Sequence, residues 1–314
     1  MTSCWIVTEG LAGTENQCLG VAEALGLLPI VKRTGLRQPW AALSPYLKYE
    51  QAWTFTGDAL KAPWPDLVIA SGRKSIAATR YIKNQSGGKT FIVQLQDPRV
   101  DPSAFDLVAV PAHDRLRGDN VIVTRATPNR ITEQKLADGR QDFAALLRAA
   151  PSPRAAVLIG GNSKAYTLTA DNMRALAAQL KELDRLGFGL MVTASRRTGD
   201  ENMALLREAL KGTKAILWDG TGPNPYFGLL GWADFILVTA DSASMISEAA
   251  TTGKPVYVIP LEGGSAKFDR LHGVLLEQSI IRPFTGQLQP YIYEPLQDAA
   301  LIAAEIRRKM GKSA

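Results

Sequence analysis

The chain has 314 residues, is 46% hydrophobic and 21% charged, and carries 36 Lys and Arg against 30 Asp and Glu, a formal net charge of +6. Such a composition belongs to an ordinary globular protein long enough for two cores, and no apolar run approaches the roughly 18–20 residues that a membrane span needs. The modest basic excess suits anionic ligands or a negatively charged membrane surface, but no aromatic-interleaved basic run of the kind that grips single-stranded nucleic acid is present.

The N-terminal Met1-Thr2-Ser3-Cys4-Trp5-Ile6-Val7 runs directly into a strand with no signal-peptide layout, so a cytoplasmic protein is expected, soluble or peripheral at a membrane. Strands are predicted over 4–7, 30–33, 66–70, 90–95, 107–110 and 121–124, with helices over 15–25, 74–83 and 133–149. Ala149-Ala150-Pro151-Ser152-Pro153-Arg154 reads as a linker, because two prolines stop the helix and the small residues bury little. The alternation then restarts with strand 155–159, helix 169–186, strand 189–193, helix 202–210 and strand 215–218. An apolar strand ending near Thr239, a short helix, a strand over 256–260 and an amphipathic helix over 296–310 complete the pattern. Repeated strand–helix alternation predicts an α/β protein of two Rossmann-like domains facing across a cleft. The expected division is 1–150, 151–295 and a C-terminal helix, 296–314, packing back on the body.

In open parallel sheets, ligands bind beyond the carboxyl ends of the strands. The first loop there, Thr8-Glu9-Gly10-Leu11-Ala12-Gly13-Thr14-Glu15, has glycines at Gly10 and Gly13 for close backbone approach, but not the GxGxxG spacing of a nicotinamide site. Glu9 and Glu15 are candidate general bases, although Glu15 would equally favour a first helical turn. Ser71-Gly72-Arg73-Lys74-Ser75 places Arg73 and Lys74 early in a helix, where an anion would relieve them. Gln94 and Asp97 close the next strand, and His113 with Asp114 the one after; Asp114 or Asp97 could orient the imidazole, and a structural histidine is the plainer alternative.

In the second half, Gly160-Gly161-Asn162-Ser163-Lys164 lacks the Walker spacing but offers a backbone nest for a pyrophosphate. Ser195-Arg196-Arg197 brings paired arginines to the same rim, as a phosphate clamp or a structural salt bridge. Asn224 and Tyr226 could recognise a base, though Asn before Pro also simply starts turns. Thr239-Ala240-Asp241-Ser242-Ala243-Ser244-Met245 is a hydroxyl-rich turn into a helix that suits a phosphate, and Glu248 lies about a turn inside, in reach of sugar hydroxyls. Lys267, Phe268, Arg270 and His272 share a helix after Glu262-Gly263-Gly264-Ser265, and Lys267 could face the cleft. The cysteines, Cys4 and Cys18, and the two histidines show no metal-ligand spacing, so buried thiols and no metal site are expected.

These segments together resemble the mitochondrial-fission Elm (elongated mitochondria) family, whose bacterial members are often labelled nucleoside-diphosphate-sugar epimerases. The resemblance runs nearly end to end, through Glu9 to Gln17, Ser71-Gly72-Arg73, Gln94 to Arg99, His113-Asp114, Gly160-Gly161, Ser195-Arg196-Arg197-Thr198, Asn224-Pro225-Tyr226, Thr239 to Ser242 with Met245 and Glu248, and Gly253-Lys254-Pro255. It implies the two-domain glycosyltransferase fold called GT-B, with a nucleoside-diphosphate sugar on the C-terminal domain and an acceptor, a lipid-linked one among the candidates, on the N-terminal one. It further implies Glu248 on the donor ribose, Ser242 and Ser244 near phosphate, the Gly160 and Arg196 loops around the pyrophosphate, and neither metal nor cofactor. A metal-independent glycosyltransferase is the leading expectation. A non-catalytic recruitment protein of the fission family and a nucleoside-diphosphate-sugar 2-epimerase are the alternatives.

Overall fold

A computed structural model describes residues 2–311. In chain order the elements are β1 (Cys4–Thr8), α1 (Ala12–Ala24), β2 (Ile30–Leu36), α2 (Trp40–Leu43), β3 (Phe55–Gly57), β4 (Leu67–Ser71), α3 (Ser75–Gln85), β5 (Phe91–Leu95), β6 (Leu107–Pro111) and β7 (Val121–Thr124). They continue with α4 (Glu133–Asp142), α5 (Ala144–Leu147), β8 (Arg154–Ile159), β9 (Tyr166–Thr167), α6 (Ala170–Arg185), β10 (Gly189–Ala194), α7 (Asp200–Ala209) and β11 (Ile216–Leu217). The last are α8 (Tyr226–Trp232), β12 (Phe235–Thr239), α9 (Ala243–Thr251), β13 (Val256–Ile259), β14 (Glu262–Gly263), α10 (Ala266–Glu277), β15 (Ile281–Pro283) and α11 (Asp298–Met310).

The chain divides into two compact units, one running to Arg130 and resuming at Gln297, the other spanning Ile131–Leu296. The first holds a seven-stranded sheet in the order β3-β2-β1-β4-β5-β6-β7, parallel except for the antiparallel β2–β3 edge. Its central strands β1, β4 and β6 are buried along their whole length, as expected of parallel strands covered on both faces. Helix α11 belongs to this unit: Ile302 and Ile306 join Ile6, Val21 and Ile69 in one core cluster. Asp298 anchors the helix by accepting the backbone N–H groups of Arg125 (3.0 Å) and Ala126 (2.9 Å).

The second unit holds six parallel strands in the order β11-β10-β8-β12-β13-β15. Helix α6 shows how sequence becomes structure here: Thr169 and Asn172 form a reciprocal capping box, and Met173, Leu176, Ala177, Leu180 and Leu183 present a buried stripe at helical spacing.

Two sequence expectations change. The contacts divide the chain after Arg130 and not within 149–154, so α4 and α5 belong to the second unit. The reason is close helix packing, for a Cβ at Gly139 of α4 would lie 2.7 Å from the backbone N of Gly228 on α8. The single helix expected over 133–149 breaks at Phe143, which leaves the helical region at φ −107°, ψ 15°. The short strands β3, β9, β14 and β15 escape the sequence pattern because two or three residues show no periodicity.

Candidate functional site

Each sheet reverses its winding direction once, between β1 and β4 in the first unit and between β8 and β12 in the second. The carboxyl ends of those strand pairs are the switch points where doubly wound sheets bind ligands. The loops singled out from sequence at Glu9 and Ser71, and at Gly160 and Asp241, stand on these ends.

In the second unit the β8, β10 and β12 loops are knitted around one enclosed carboxylate. Asp241, whose side chain is fully buried, accepts the Gly161 N–H at 3.0 Å and the Thr239 hydroxyl at 2.6 Å, and pairs with Arg197 at 2.7 Å. Gly160 N–H donates to Thr239 Oγ1 at 2.7 Å, while the Ser195 and Thr198 hydroxyls donate to the Gly160 carbonyl. The N–H groups of Asn162 and Ser163 go to the carbonyls of Arg197 and Tyr166. Asn162 Oδ1 accepts from Leu168 N at 2.8 Å, and Ser163 Oγ from Tyr166 N at 3.0 Å.

All four N–H groups from Gly160 to Ser163 are therefore committed within the protein, and the backbone nest expected for a pyrophosphate is not open. Asp241 already supplies the negative charge. The two glycines are needed for space instead. A Cβ at Gly160 would lie 2.3 Å from Asp241 Oδ1, and one at Gly161 2.0 Å from the Arg197 carbonyl oxygen.

A second group of the expected residues is left toward solvent or half-buried. Ser242 caps α9 by accepting the Met245 N–H at 3.3 Å, and the N–H groups of Ala243 and Ser244 have no protein acceptor among the described residues. Such an open helix start attracts anions. Arg196 is exposed and makes no ion pair among the described residues, whereas its neighbour Arg197 is bound to Asp241. The paired-arginine expectation thus splits into one structural and one available cation.

On the same helix, Glu248 accepts a hydrogen bond from the Tyr226 hydroxyl at the start of α8. Burial pushes the Glu248 carboxyl up to about 7, with the tyrosine bond acting in the opposite direction. Burial and the adjoining carboxylate raise the Tyr226 phenol well above its usual range. Asn224 Oδ1 accepts the Tyr226 N–H at 3.1 Å, so its carbonyl shapes the turn.

The Gly253-Lys254-Pro255 lysine, to which sequence reading assigned no role, has a structural one. Lys254 Nζ donates to the carbonyls of Leu230 (2.6 Å) and Gly231 (2.8 Å), closing the C-terminal end of α8. Its burial lowers the ammonium to about 8. Lys267 and Arg270 lie on α10 behind its Ser265 cap, and His272 contacts the Phe268 ring at 5.9 Å, with burial holding its imidazole below the usual histidine range.

The first unit treats its candidates differently. Glu15 forms a two-pronged ion pair with Arg33, at 2.8 and 2.7 Å, and that hydrogen bonding holds its carboxyl below the usual range. A carboxylate so stabilised is a weak base, which argues against that role for Glu15. Glu9 pairs with Lys74 at 2.8 Å, so the anion expected to relieve Lys74 comes from the protein's own β1 loop.

Gly10 adopts φ +83°, a backbone conformation that favours glycine, whereas Gly13 lies inside α1 and not in the loop. Ser71 and Gln94 are buried at the ends of β4 and β5, with Ser71 Oγ and Gln94 Oε1 lacking a hydrogen-bond partner among the described residues. Arg73 is exposed, and Asp97 accepts the Arg99 N–H at 2.8 Å within its own turn. His113 is buried, its Nε2 3.9 Å from Asp114 Oδ1, beyond hydrogen-bond reach.

Both cysteines are free and buried, and among the described residues no group of three or more His, Cys, Asp or Glu could hold a metal ion. No helix among them is long and apolar enough to cross a membrane.

Among solved structures, the UDP-GlcNAc 2-epimerase from Methanocaldococcus jannaschii matches 98% of this chain and 100% of its own at 11% identity, with a TM-score of 0.53. The UDP-GlcNAc 2-epimerase from Neisseria meningitidis, bound to UDP-GlcNAc, matches 98% of this chain and 100% of its own at 13% identity, with a TM-score of 0.50. At such identity these likenesses show the GT-B-like fold alone.

By sequence, an uncharacterized protein of Rickettsia prowazekii is 26% identical over 281 residues, 77% of this chain and 79% of that protein. The mitochondrial fission protein ELM1 of Arabidopsis thaliana is 31% identical over 273 residues, 78% of this chain and 64% of the plant protein, so the match spans somewhat less than two thirds of that relative's length. With residues 12–310 also matching the family described as mitochondrial fission ELM1, the chain belongs to that family.

Proposed function

We propose that the second unit binds the nucleoside diphosphate of a sugar donor and that the protein is a GT-B-like glycosyltransferase working without a metal. The observation that carries the proposal is the half-buried Glu248, held by Tyr226 inside the helix whose open start lies at the switch point. Glu248 accepts the ribose hydroxyls. The diphosphate takes the free N–H groups of Ala243 and Ser244, the Ser242 hydroxyl and the Arg196 guanidinium. Charge that develops on the departing diphosphate is then met by fixed donors and a cation.

In the transfer step an acceptor hydroxyl attacks the anomeric carbon, the bond to the diphosphate oxygen breaks, and the hydroxyl proton passes to a base. Of the three expected bases, Glu9 combines partial exposure with a carboxylate, since Glu15 is stabilised by Arg33 and His113 is enclosed. Ser71, Arg73, Gln94 and Asp97 remain the proposed acceptor-side residues.

Calorimetry with a panel of nucleoside diphosphates in chelator tests the proposal. Binding that survives chelation and weakens about tenfold or more in Glu248→Ala is expected; the loss of a hydrogen-bonded charged group is worth that much. Absence of binding by every diphosphate would reject it. Epimerisation is the second reading, favoured by the fold shared with two sugar-nucleotide 2-epimerases. Product analysis by NMR separates the two, since epimerisation inverts C2 and transfer yields a new glycosidic bond. A pure recruitment role, the alternative that the family resemblance implies, predicts unaltered function in Glu248→Ala and Arg196→Ala.

A further inference from the structure

Between β2 and β3, at the edge of the first unit's sheet, residues 37–54 form a compact excursion with its aromatic side chains outward. Leu43 is 50% exposed, Tyr46 68%, Tyr49 58% and Trp53 58%. The excursion is tied together internally: the Trp53 ring meets that of Trp40 edge-on at 4.8 Å, Trp40 Nε1 donates to the Tyr49 carbonyl, and Tyr46 N–H donates to the Leu43 carbonyl at 2.9 Å. The excursion is pinned from behind. Arg80 of α3 donates to the carbonyls of Pro45 (2.7 Å) and Leu47 (2.9 Å) and pairs with Glu50.

That pinning also sets the charge of the outer face. Glu50 is the only carboxylate between Gly35 and Gly57, and its side chain is 4% exposed in the pair with Arg80. The charges left outward in this stretch are Arg37 and Lys48, both exposed. Asp58, which accepts the Arg33 N–H, and Asp101, which lies within the field of Lys48, flank the stretch and offset part of this charge, so the two cations are confined to the excursion itself.

We propose that this face docks the protein on an anionic lipid bilayer. Tyrosine and tryptophan carry an apolar body and a polar tip and settle at the headgroup level, while nearby Lys and Arg add attraction to anionic lipids. An isolated water-exposed cluster of this kind is otherwise unfavourable on a monomer. A second copy fits less well, because a twofold contact through this face would bring Arg37 and Lys48 toward their like-charged counterparts. The proposal is independent of the nucleotide reading.

Flotation with vesicles tests it. The full chain should float with phosphatidylglycerol-rich vesicles and not with pure phosphatidylcholine vesicles, and added salt should weaken the binding. Arg37→Gln and Lys48→Gln should each weaken it about fivefold. Leu43→Ser and Tyr46→Ser should each weaken it about tenfold. All four side chains point to solvent, so thermal melts should match the parent, and the two cation variants serve if an aromatic variant fails to fold. Failure of the parent to float, or variants that float equally well, would overturn the proposal. So would concentration-dependent self-association that Tyr46→Ser abolishes in a protein that ignores vesicles.

Discussion

At the switch point of the first unit, the carboxylates sit near the surface and pair with cations that are themselves exposed. Glu15 meets an Arg33 side chain that is 62% exposed, and Glu9 meets a Lys74 that is 51% exposed. At the switch point of the second unit, Asp241 is enclosed and joins three loops, while the neighbouring Glu248 is half-buried against the phenol of Tyr226. The same motif-level reading, acidic residues around strand ends, thus resolves into surface pairs in one unit and, in the other, an internal lock at Asp241 with the raised carboxyl of Glu248 on the helix that follows. Solvent access decides the difference. A carboxylate in reach of water and an arginine is stabilised as an anion and contributes little to folding. One removed from water must be fully hydrogen-bonded or become easier to protonate.

Breaking the lock should have the largest effect. Asp241→Ala strands the buried Gly161 N–H and Thr239 hydroxyl and releases the half-exposed Arg197, and should destabilise by about 3 kcal/mol in urea unfolding. Gly161→Ala should cost a similar amount, about 3 kcal/mol, because the new methyl group meets a backbone carbonyl that cannot move away cheaply. If either variant unfolds like the parent, the lock is not what holds these loops.

Glu248→Gln should act in the opposite direction. Its carboxyl titrates near 7 in the folded chain against an ordinary value of 4.5, so the folded state holds an extra proton between those pH values. Stability therefore falls as pH rises through that window, and the burial cost is complete above about 7 and absent below 4.5. The glutamine variant should be more stable than the parent at pH 8, by on the order of 2 kcal/mol, and equal to it at about pH 4. The same variant should bind nucleoside diphosphate more weakly, a trade between stability and function. A variant with the parent's melting temperature at pH 8 would show that Glu248 carries no burial cost.

Glu15→Gln sharpens the contrast with the surface pairs. Because Arg33 lowers the Glu15 carboxyl, the pair's stabilisation is present above the unfolded value and lost as pH falls through the folded one. It should amount to less than about 1 kcal/mol at neutral pH, and no activity limb should depend on it. Arg196→Ala should change stability least, within about 0.5 kcal/mol, since the side chain is exposed and pairs with no carboxylate among the described residues. Its readout is a weaker affinity for nucleoside diphosphate, and unchanged affinity would remove Arg196 from the proposed site.

Much of the fold was legible because parallel sheets announce themselves. The runs Trp5-Ile6-Val7, Val157-Leu158-Ile159 and Ile236-Leu237-Val238 have no reason to be so uniformly apolar unless both faces are covered. Helix α6 was equally legible from its cap and stripe. The domain boundary was not, because Pro151 and Pro153 mark a turn into β8, whereas the real division follows the packing of Gly139 on α8, a contact between residues far apart in sequence. The aromatic excursion at residues 37–54 was not legible either, since exposure of Tyr46 and Trp53 is not written in their identity.

Residue order alone settled the alternation of elements, the family, and which strand ends carry loops capable of chemistry, because periodicity, caps and glycine placement act between near neighbours. It could not tell Arg196 from Arg197, or Asp241 from Glu248. Those pairs differ in which member is drawn into the lock, and that depends on loops from distant strands closing over one carboxylate and leaving the other beside a tyrosine. Charge in a protein takes its meaning from access to water, and access to water is set by tertiary packing.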